Sequence, residues 1–319
     1  PLAGEQRVMV VTGRAHRAAV EEQLPELADL NVVLESEPRD SSAAIGLAAA
    51  ILEKREPGVI IGSFAADHVI KGTRFFNMAV AEAVEAARAG FIATIGIVPT
   101  EPAIGFGYIH ATEETELEGA PSALKVDSFV EKPNAHTAEE YVESGDYLWN
   151  AGMFITKASV LLEELAKTQP ELHAGVVALA EVWDDHAKRG PAVDKIWPTL
   201  KKIAIDYAVA EPAAAAGKLV VIPGEFDWDD VGDFASIAKL HSSGYKKDLA
   251  ILGEGARVLS DASSGILITD TGRTIALVGV KDIVVVDTPD ALLVTTTANA
   301  QKVKSVVDAL RISGRDDVL

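Results

Sequence analysis

The chain has 319 residues, enough for one large or two ordinary domains, and its 48% hydrophobic and 24% charged residues are an ordinary globular mixture. A formal charge of −19 repels nucleic acid and anionic membrane surfaces. No apolar run approaches the ~20 residues that span a bilayer, no signal-peptide pattern follows Pro1-Leu2-Ala3-Gly4-Glu5, and the absence of cysteine excludes disulfides and thiolate metal sites, which fits a cytoplasmic protein. In chain order, residues 7–12 read as a strand, 16–27 as a helix, 31–35 as a strand, 42–54 as an alanine-rich helix and 58–63 as a strand. Residues 75–89 then read as a helix, and 91–98 and 126–130 as strands. This βα rhythm predicts an α/β domain with a mixed, mostly parallel sheet, helices on both faces and ligands beyond the C-terminal strand ends. After about residue 244 the pattern changes to short strands over 250–252, 256–259, 265–269, 274–278, 282–286 and 291–295, with an amphipathic helix over roughly 298–310. That spacing predicts an all-β module without a strict hexapeptide repeat. Ser242-Ser243-Gly244 marks the expected boundary, giving residues 1–243 and 244–319.

Several residues sit where such a domain places chemistry. Asp67 closes the apolar run 59–66, and Asp230 closes the segment that starts with the apolar run 219–222. Two carboxylates on strand-end loops could converge on one Mg²⁺, which takes a few carboxylate oxygens together with phosphate oxygens and water. An Asp at a strand-to-helix turn also caps helices. Asp227 and Asp229 read as solvated loop acids, and His68 as a packing or supporting residue rather than a ligand. Glu131-Lys132 follows a strand, a position where such a pair is commonly a solvated ion pair. In Gly105-Phe106-Gly107-Tyr108 the glycines allow close backbone approach and the aromatics could form a wall, or the segment is a plain turn. Asn150 offers a donor and an acceptor suited to adjacent hydroxyls, or it forms a turn. Gly13-Arg14-Ala15-His16 is too poor in glycine to cradle a triphosphate.

These segments occur in a fixed order: Glu35-Ser36-Glu37-Pro38-Arg39-Asp40-Ser41, Ala66-Asp67-His68, Pro99-Thr100-Glu101-Pro102 running into Gly105-Phe106-Gly107-Tyr108, Phe129-Val130-Glu131-Lys132-Pro133, Trp149-Asn150-Ala151-Gly152, Ile205-Asp206-Tyr207 and Trp228-Asp229-Asp230-Val231-Gly232. Together they resemble the sugar-phosphate nucleotidylyltransferases, most closely the mannose-1-phosphate guanylyltransferases. Residues 279–294 resemble that family's C-terminal module, so the similarity covers nearly the whole chain. The resemblance implies a Rossmann-like nucleotidyltransferase domain over 1–243 and a smaller β-rich module over 244–319. It implies GTP and mannose 1-phosphate as partners, GDP-mannose and pyrophosphate as products, and Mg²⁺ as cofactor on Asp67 and Asp230. Arg39 and Ser41 would lie at the nucleotide, with Asp67 reaching the α-phosphate through the metal. Lys132 would hold the sugar phosphate, and Gly107, Tyr108, Glu131, Asn150 and Asp206 would meet the sugar. A homodimer is expected, with no nucleic-acid or membrane partner.

Two departures qualify these expectations. Arg39-Asp40-Ser41 stands where the family commonly has Arg-Asn-Thr, which leaves the base open. The family's glycine-rich loop with its Arg, and the Pro-Lys segment after it, do not occur here, so the chain would begin about one βα unit late. Another hexose 1-phosphate or base, or a nucleotide-sugar-binding regulatory subunit without turnover, are the alternative readings.

Overall fold

Runs rich in Val and Ile set the strands, and alanine-rich amphipathic segments set the helices between them. The computed structural model describes residues 2–241 and 249–318; the expected boundary at Ser242-Ser243-Gly244 lies outside them. In chain order the elements are β1 (Val10–Gly13), α1 (Arg17–Gln23), β2 (Val32–Glu35), α2 (Asp40–Arg55), β3 (Ile60–Ser63), β4 (His68–Lys71), α3 (Thr73–Arg88), β5 (Ile92–Ile97), β6 (Gly107–Glu114) and β7 (Leu124–Glu131). They continue with α4 (Ala135–Ser144), β8 (Tyr147–Lys157), α5 (Ala158–Thr168), α6 (Pro170–Val182), α7 (His186–Ile196), α8 (Glu211–Ala215), β9 (Leu219–Pro223) and β10 (Asp227–Asp230). Then follow α9 (Phe234–His241), β11 (Leu249–Leu252), β12 (Arg257–Asp261), β13 (Gly265–Thr269), β14 (Thr274–Val278), β15 (Ile283–Asp287), β16 (Leu292–Thr296) and α10 (Val303–Ile312). The chain forms two units: Pro1–Ala66 with Ile70–Trp228, and Asp67–Val69 with Asp229–Leu319.

The first unit is built on a six-stranded sheet in the order β3-β8-β5-β9-β7-β6. The sheet is mixed, as expected, but its parallel share is smaller than the βα rhythm predicts. β5 and β9 pair in parallel, whereas β8 pairs antiparallel with β3, β5 and β6, and β7 pairs antiparallel with β9 and β6. The strands β7 and β8 run against the others and separate strands that would otherwise be parallel neighbours. The first two strands stand apart as a parallel pair, Val10 opposite Val32.

Both faces of the six-stranded sheet are covered, so its central strands carry no polar face. All six residues of β5 are buried. Along β9, Leu219 and Val221 enter one core with α2, α5 and α6, while Val220 and Ile222 enter the other with α3. The small residues of α2 permit close helix packing: Ala43, Ala49 and Ala50 are buried, and a Cβ on Gly46 would lie 3.0 Å from Leu165. Asp40 in its first turn and Lys54 and Arg55 in its last suit the helix dipole.

The second unit is a short β coil. Strands β11, β13, β15 and β16 form one sheet, and β12 and β14 another. Leu249 lies opposite Gly265, and Gly265 opposite Ile283, in parallel register. Leu267, Leu277 and Val285 form its buried centre. Gly265 has φ +126°, and a Cβ there would collide with the Ile283 backbone. No helix among the described residues is long and apolar enough to cross a membrane.

Gly265→Ala is therefore expected to destabilise the coil by about 2 kcal/mol or more. Hydrogen exchange at the Leu267 and Val285 amides should accelerate while the β5 amides keep their protection; unchanged exchange in the coil would contradict this.

Candidate active site

Glu131 ends β7 directly opposite Gly107 of β6. The glycine is required by the carboxylate: a Cβ on Gly107 would stand 2.6 Å from Glu131 Oε2 and 3.2 Å from the Phe129 ring. The Glu131 side chain is only 5% exposed, and Lys132 Nζ donates to its Oε1. Lys132 adopts φ +49°, and its backbone N–H donates to the Phe106 carbonyl at 3.2 Å. The Phe106 ring is held edge-on against Trp149 and Trp228, with centroids 5.1 and 5.2 Å away. The lysine stem thus leaves the strand through a tight turn and carries its ammonium toward solvent.

Asn150 lies in the middle of β8, opposite Gly96 of β5. Its Oδ1 accepts from Thr94 Oγ1 at 2.8 Å and from the Gly152 N–H at 3.2 Å, which fixes the amide so that Nδ2 donates to Asp206 Oδ1 at 2.9 Å. Asp206 opens a π-helical turn, Asp206–Ala210; such turns recur at functional sites. Burial, and then the charge of Glu131, push the Asp206 carboxyl up to about 6; its own backbone amide, Lys132 and Asn150 oppose the shift only in part. Burial works against the Lys132 ammonium, but the hydrogen bond and charge of Glu131 and the charge of Asp206 prevail, so its pKa lies above the ordinary lysine value. Glu211 of α8 is pushed up by burial, against a hydrogen bond from the Glu131 backbone and with the charge of Glu131 adding to the rise. Two acidic side chains, Glu131 and Asp206, therefore act on one ammonium, and Glu211 adds its charge beside Glu131, so acids outnumber the cation in the cluster.

Arg39 and Ser41 are engaged with the protein. The Arg39 guanidinium donates to the Leu200 carbonyl at 3.1 Å, to the Pro198 carbonyl and to the Glu37 carboxylate. Ser41 Oγ accepts from the Ile205 N–H at 2.8 Å, and the Ser42 N–H donates to the Ile203 carbonyl at 3.2 Å. The residue between them, Asp40, takes φ +67° and accepts from the Ser41 N–H at 2.9 Å. These contacts tie the start of α2 to the segment that delivers Asp206, so in this state both side chains position that segment.

In the second unit, Asp67, His68 and Asp230 each offer one ligand atom, and these atoms all lie within 4.8 Å of one another. The Val231 N–H donates to the Asp67 carbonyl at 3.3 Å, which pins the two segments together. Two carboxylates and an imidazole are a donor set that fits a divalent cation. Asp229 is not part of the group; it pairs with Lys239 at 2.7 Å instead of being a solvated loop acid, whereas Asp227 is exposed as expected.

The structure thus brings Gly107, Glu131, Lys132, Asn150 and Asp206 together, and separately Asp67 with Asp230. One expectation is corrected. Tyr108 is fully buried and its hydroxyl donates to the Ala103 carbonyl at 2.9 Å, so its ring belongs to the core and forms no wall for a ligand. His68, expected as a packing or supporting residue, lies within 4.8 Å of the acidic pair, a position that fits a supporting residue as well as a ligand. Thr94 and Glu211 went unnoticed: each lies inside a helix or strand pattern in which a single polar residue carries no distinguishing signal.

The first unit is a six-stranded mixed sheet with acidic groups gathered at the end of β7, and the second a β coil. The nucleotidyl transferase family profile matches residues 2–246, and that of the mannoseP isomerase/GMP-like beta-helix domain matches residues 255–310. The chain belongs to the nucleotidyl transferase family. It is 34% identical over 313 residues to a mannose-1-phosphate guanylyltransferase of Escherichia coli, covering 97% of this chain and 64% of that protein. A putative mannose-1-phosphate guanylyltransferase of Vibrio cholerae is 34% identical over 309 residues, 96% of this chain and 64% of its own length. The chain therefore spans 64% of the length of both relatives. Among solved structures, one described as a mannose-1-phosphate geranyltransferase of Thermus thermophilus superposes with a TM-score of 0.78 at 27% identity, over 96% of this chain and 84% of that one.

The raised Asp206 carboxyl has a consequence for stability. A carboxyl lifted from 3.8 to about 6 favours the folded chain fully below pH 3.8, and that contribution is lost as the pH rises through 6. Asp206→Asn removes the charged form and keeps an acceptor for Asn150. Its melting temperature should exceed that of the parent above pH 6 by an amount worth up to roughly 3 kcal/mol, with no gain below pH 3.8. A pH-independent difference in thermal unfolding would contradict the assignment.

Proposed function

We propose that this chain transfers a guanylyl group from GTP to mannose 1-phosphate, releasing pyrophosphate and forming GDP-mannose, in the cytoplasm and as a homodimer. The observation that carries the reading is the Gly107–Glu131–Lys132–Asn150–Asp206 cluster in a chain aligned over 97% of its length with the Escherichia coli relative. An acceptor-rich cluster beside one exposed ammonium suits a ligand that combines neutral hydroxyl donors with an anionic phosphate.

The attacking oxygen belongs to a phosphate monoester, whose second pKa of about 6 leaves it largely ionised at neutral pH. No general base is needed. A phosphate oxygen of the sugar forms a bond to the α-phosphorus of the nucleotide, the bond from that phosphorus to its bridging oxygen breaks, and pyrophosphate leaves. Catalysis then rests on position and charge. Lys132 holds the sugar phosphate through its exposed ammonium. The buried Glu131 carboxylate accepts from sugar hydroxyls, and Asn150, its amide fixed by Thr94, orients the ring together with Asp206. Gly107 lets the backbone approach the sugar. Asp67 and Asp230 of the second unit would hold Mg²⁺, which would supply neutralisation of phosphate charge when bound.

Pyrophosphate release across a matrix of nucleoside triphosphates and hexose 1-phosphates, with Mg²⁺, tests this reading; release confined to GTP with mannose 1-phosphate is expected. Preference for another pair would overturn the base or the sugar. Binding of GDP-mannose without any release would replace the enzyme with a binding subunit. Lys132→Gln keeps a donor for Glu131 while removing the charge. It should cut kcat/KM for mannose 1-phosphate by roughly 100-fold, with near-parental thermal stability.

A further inference from the structure

The cation ligands expected from the sequence are two carboxylates, an all-oxygen pair suited to Mg²⁺. The structure adds a nitrogen. His68 is the first residue of β4 and Asp230 the last of β10, and the two strands pair. Consecutive residues in an extended strand point to opposite faces, so Asp67 and His68 would ordinarily diverge. Here Asp67 lies in the turn before the strand, where that alternation does not hold, and the Val231 N–H holds its carbonyl at 3.3 Å. As a result a ring nitrogen of His68 and one carboxylate oxygen from each Asp lie within 4.8 Å of one another. Two ligands on opposite sides of a divalent cation stand about 4 Å apart. The exposed Asp67 side chain can close the small remaining difference by rotation.

We infer that His68 is the third protein ligand of this site, and that it biases the site toward first-row divalent cations that favour imidazole, Zn²⁺ among them, over Mg²⁺. The inference rests on the reading of Asp67 and Asp230 as cation ligands. Its chemistry is ligand hardness. Mg²⁺ dehydrates reluctantly and is held by one or two carboxylates with water and phosphate oxygens. Imidazole suits Zn²⁺, Fe²⁺ and Ni²⁺, while carboxylates serve Mg²⁺ and Mn²⁺ alike. A site with both carboxylates and one imidazole therefore keeps its Mg²⁺ affinity when the imidazole is lost but gives up much of its affinity for Zn²⁺. His68 in this role is a selectivity residue.

The test reads the bound ion directly. Mn²⁺ is titrated into the full chain and followed by electron paramagnetic resonance, with Mg²⁺ as competitor, and the bound Mn²⁺ is examined for nitrogen-14 modulation of its spin echo. The expected result is a nitrogen-14 signal in the parent chain that disappears in His68→Gln, where an amide replaces the imidazole. The Zn²⁺ dissociation constant, read by displacement of Mn²⁺, should rise about tenfold or more in that variant, and the Mg²⁺ constant should change by less than about threefold. Bound Mn²⁺ without nitrogen modulation in the parent chain would overturn the inference and leave Asp67 and Asp230 as an oxygen-only site; that measurement needs no variant to fold. Equal losses of Zn²⁺ and Mg²⁺ affinity in His68→Gln would also overturn it. Failure of the parent chain to bind either ion, matched by Asp67→Asn, would remove the cation reading itself.

Discussion

Holding the Glu131 carboxylate out of water at the end of β7 constrains everything around it. A buried carboxylate is costly unless a cation or hydrogen-bond donors compensate it, and here one lysine serves it while Asp206 and Glu211 add further acidity nearby. The facing position must be Gly107, because a Cβ would occupy the carboxylate's own space. Burial first, and then the charge of Glu131, raise the Asp206 carboxyl to about 6, with Lys132 and Asn150 opposing only in part. Unused acceptor capacity remains, and it can be satisfied by neutral donors that bring no further negative charge. A polyhydroxyl ring supplies such donors, and a phosphate attached to it can meet the ammonium that Lys132 carries outward.

The scaffold keeps that arrangement rigid through contacts remote from the cluster. Arg39 grips the carbonyls of 198 and 200, and Ser41 receives the Ile205 amide, so the start of α2 fixes the approach to Asp206. Beyond it, Thr168 at the end of α5 donates to the Ala208 carbonyl at 2.7 Å, inside the π-helical turn. Lys167 and Lys218 converge on Glu164 of the same helix at 2.8 and 2.6 Å; this lowers the Glu164 pKa despite burial. Thr94 meanwhile sets the direction of the Asn150 amide. Asp206 is thus held from before, from behind and across its hydrogen bond. A site built in this way binds with little reorganisation.

What was legible in the sequence was the position of several strands: the apolar runs before Asp67 and before Glu131-Lys132 did become β3 and β7, and the ordered spacing of the motifs carried the family resemblance. Sheet direction was not legible, because an apolar run has the same pattern whether its neighbour is parallel or antiparallel; β7 and β8 therefore escaped the expectation of a mostly parallel sheet. Tyr108 was misread because alternation alone does not tell which face of β6 meets the core once both faces of the sheet are covered. Arg39 was placed at the nucleotide by the resemblance; the carbonyls that also engage it come from 198 and 200, far away in sequence, and so were not legible. The β coil hid its period for a geometric reason. Its register steps from Leu249 to Gly265 to Ile283, so successive turns differ in length and no fixed repeat appears.

Charge gives the arrangement its direction. With a net charge of −19, the chain as a whole opposes any phosphorylated ligand. Screening in physiological salt limits that repulsion to about 8 Å, so the decisive charges are those within the cluster. There Lys132 faces Glu131 and Asp206, with Glu211 beside Glu131, a balance that by itself would not favour a dianionic phosphate. Two features shift it. The Lys132 pKa lies above its ordinary value, so the ammonium stays charged throughout the neutral range. The Asp206 carboxyl, raised to about 6, binds a proton more readily than an ordinary aspartate and so lessens the local negative charge as the pH falls toward that value. The same burial that makes Asp206 costly to ionise thereby moderates the repulsion that a phosphate bound to Lys132 would meet.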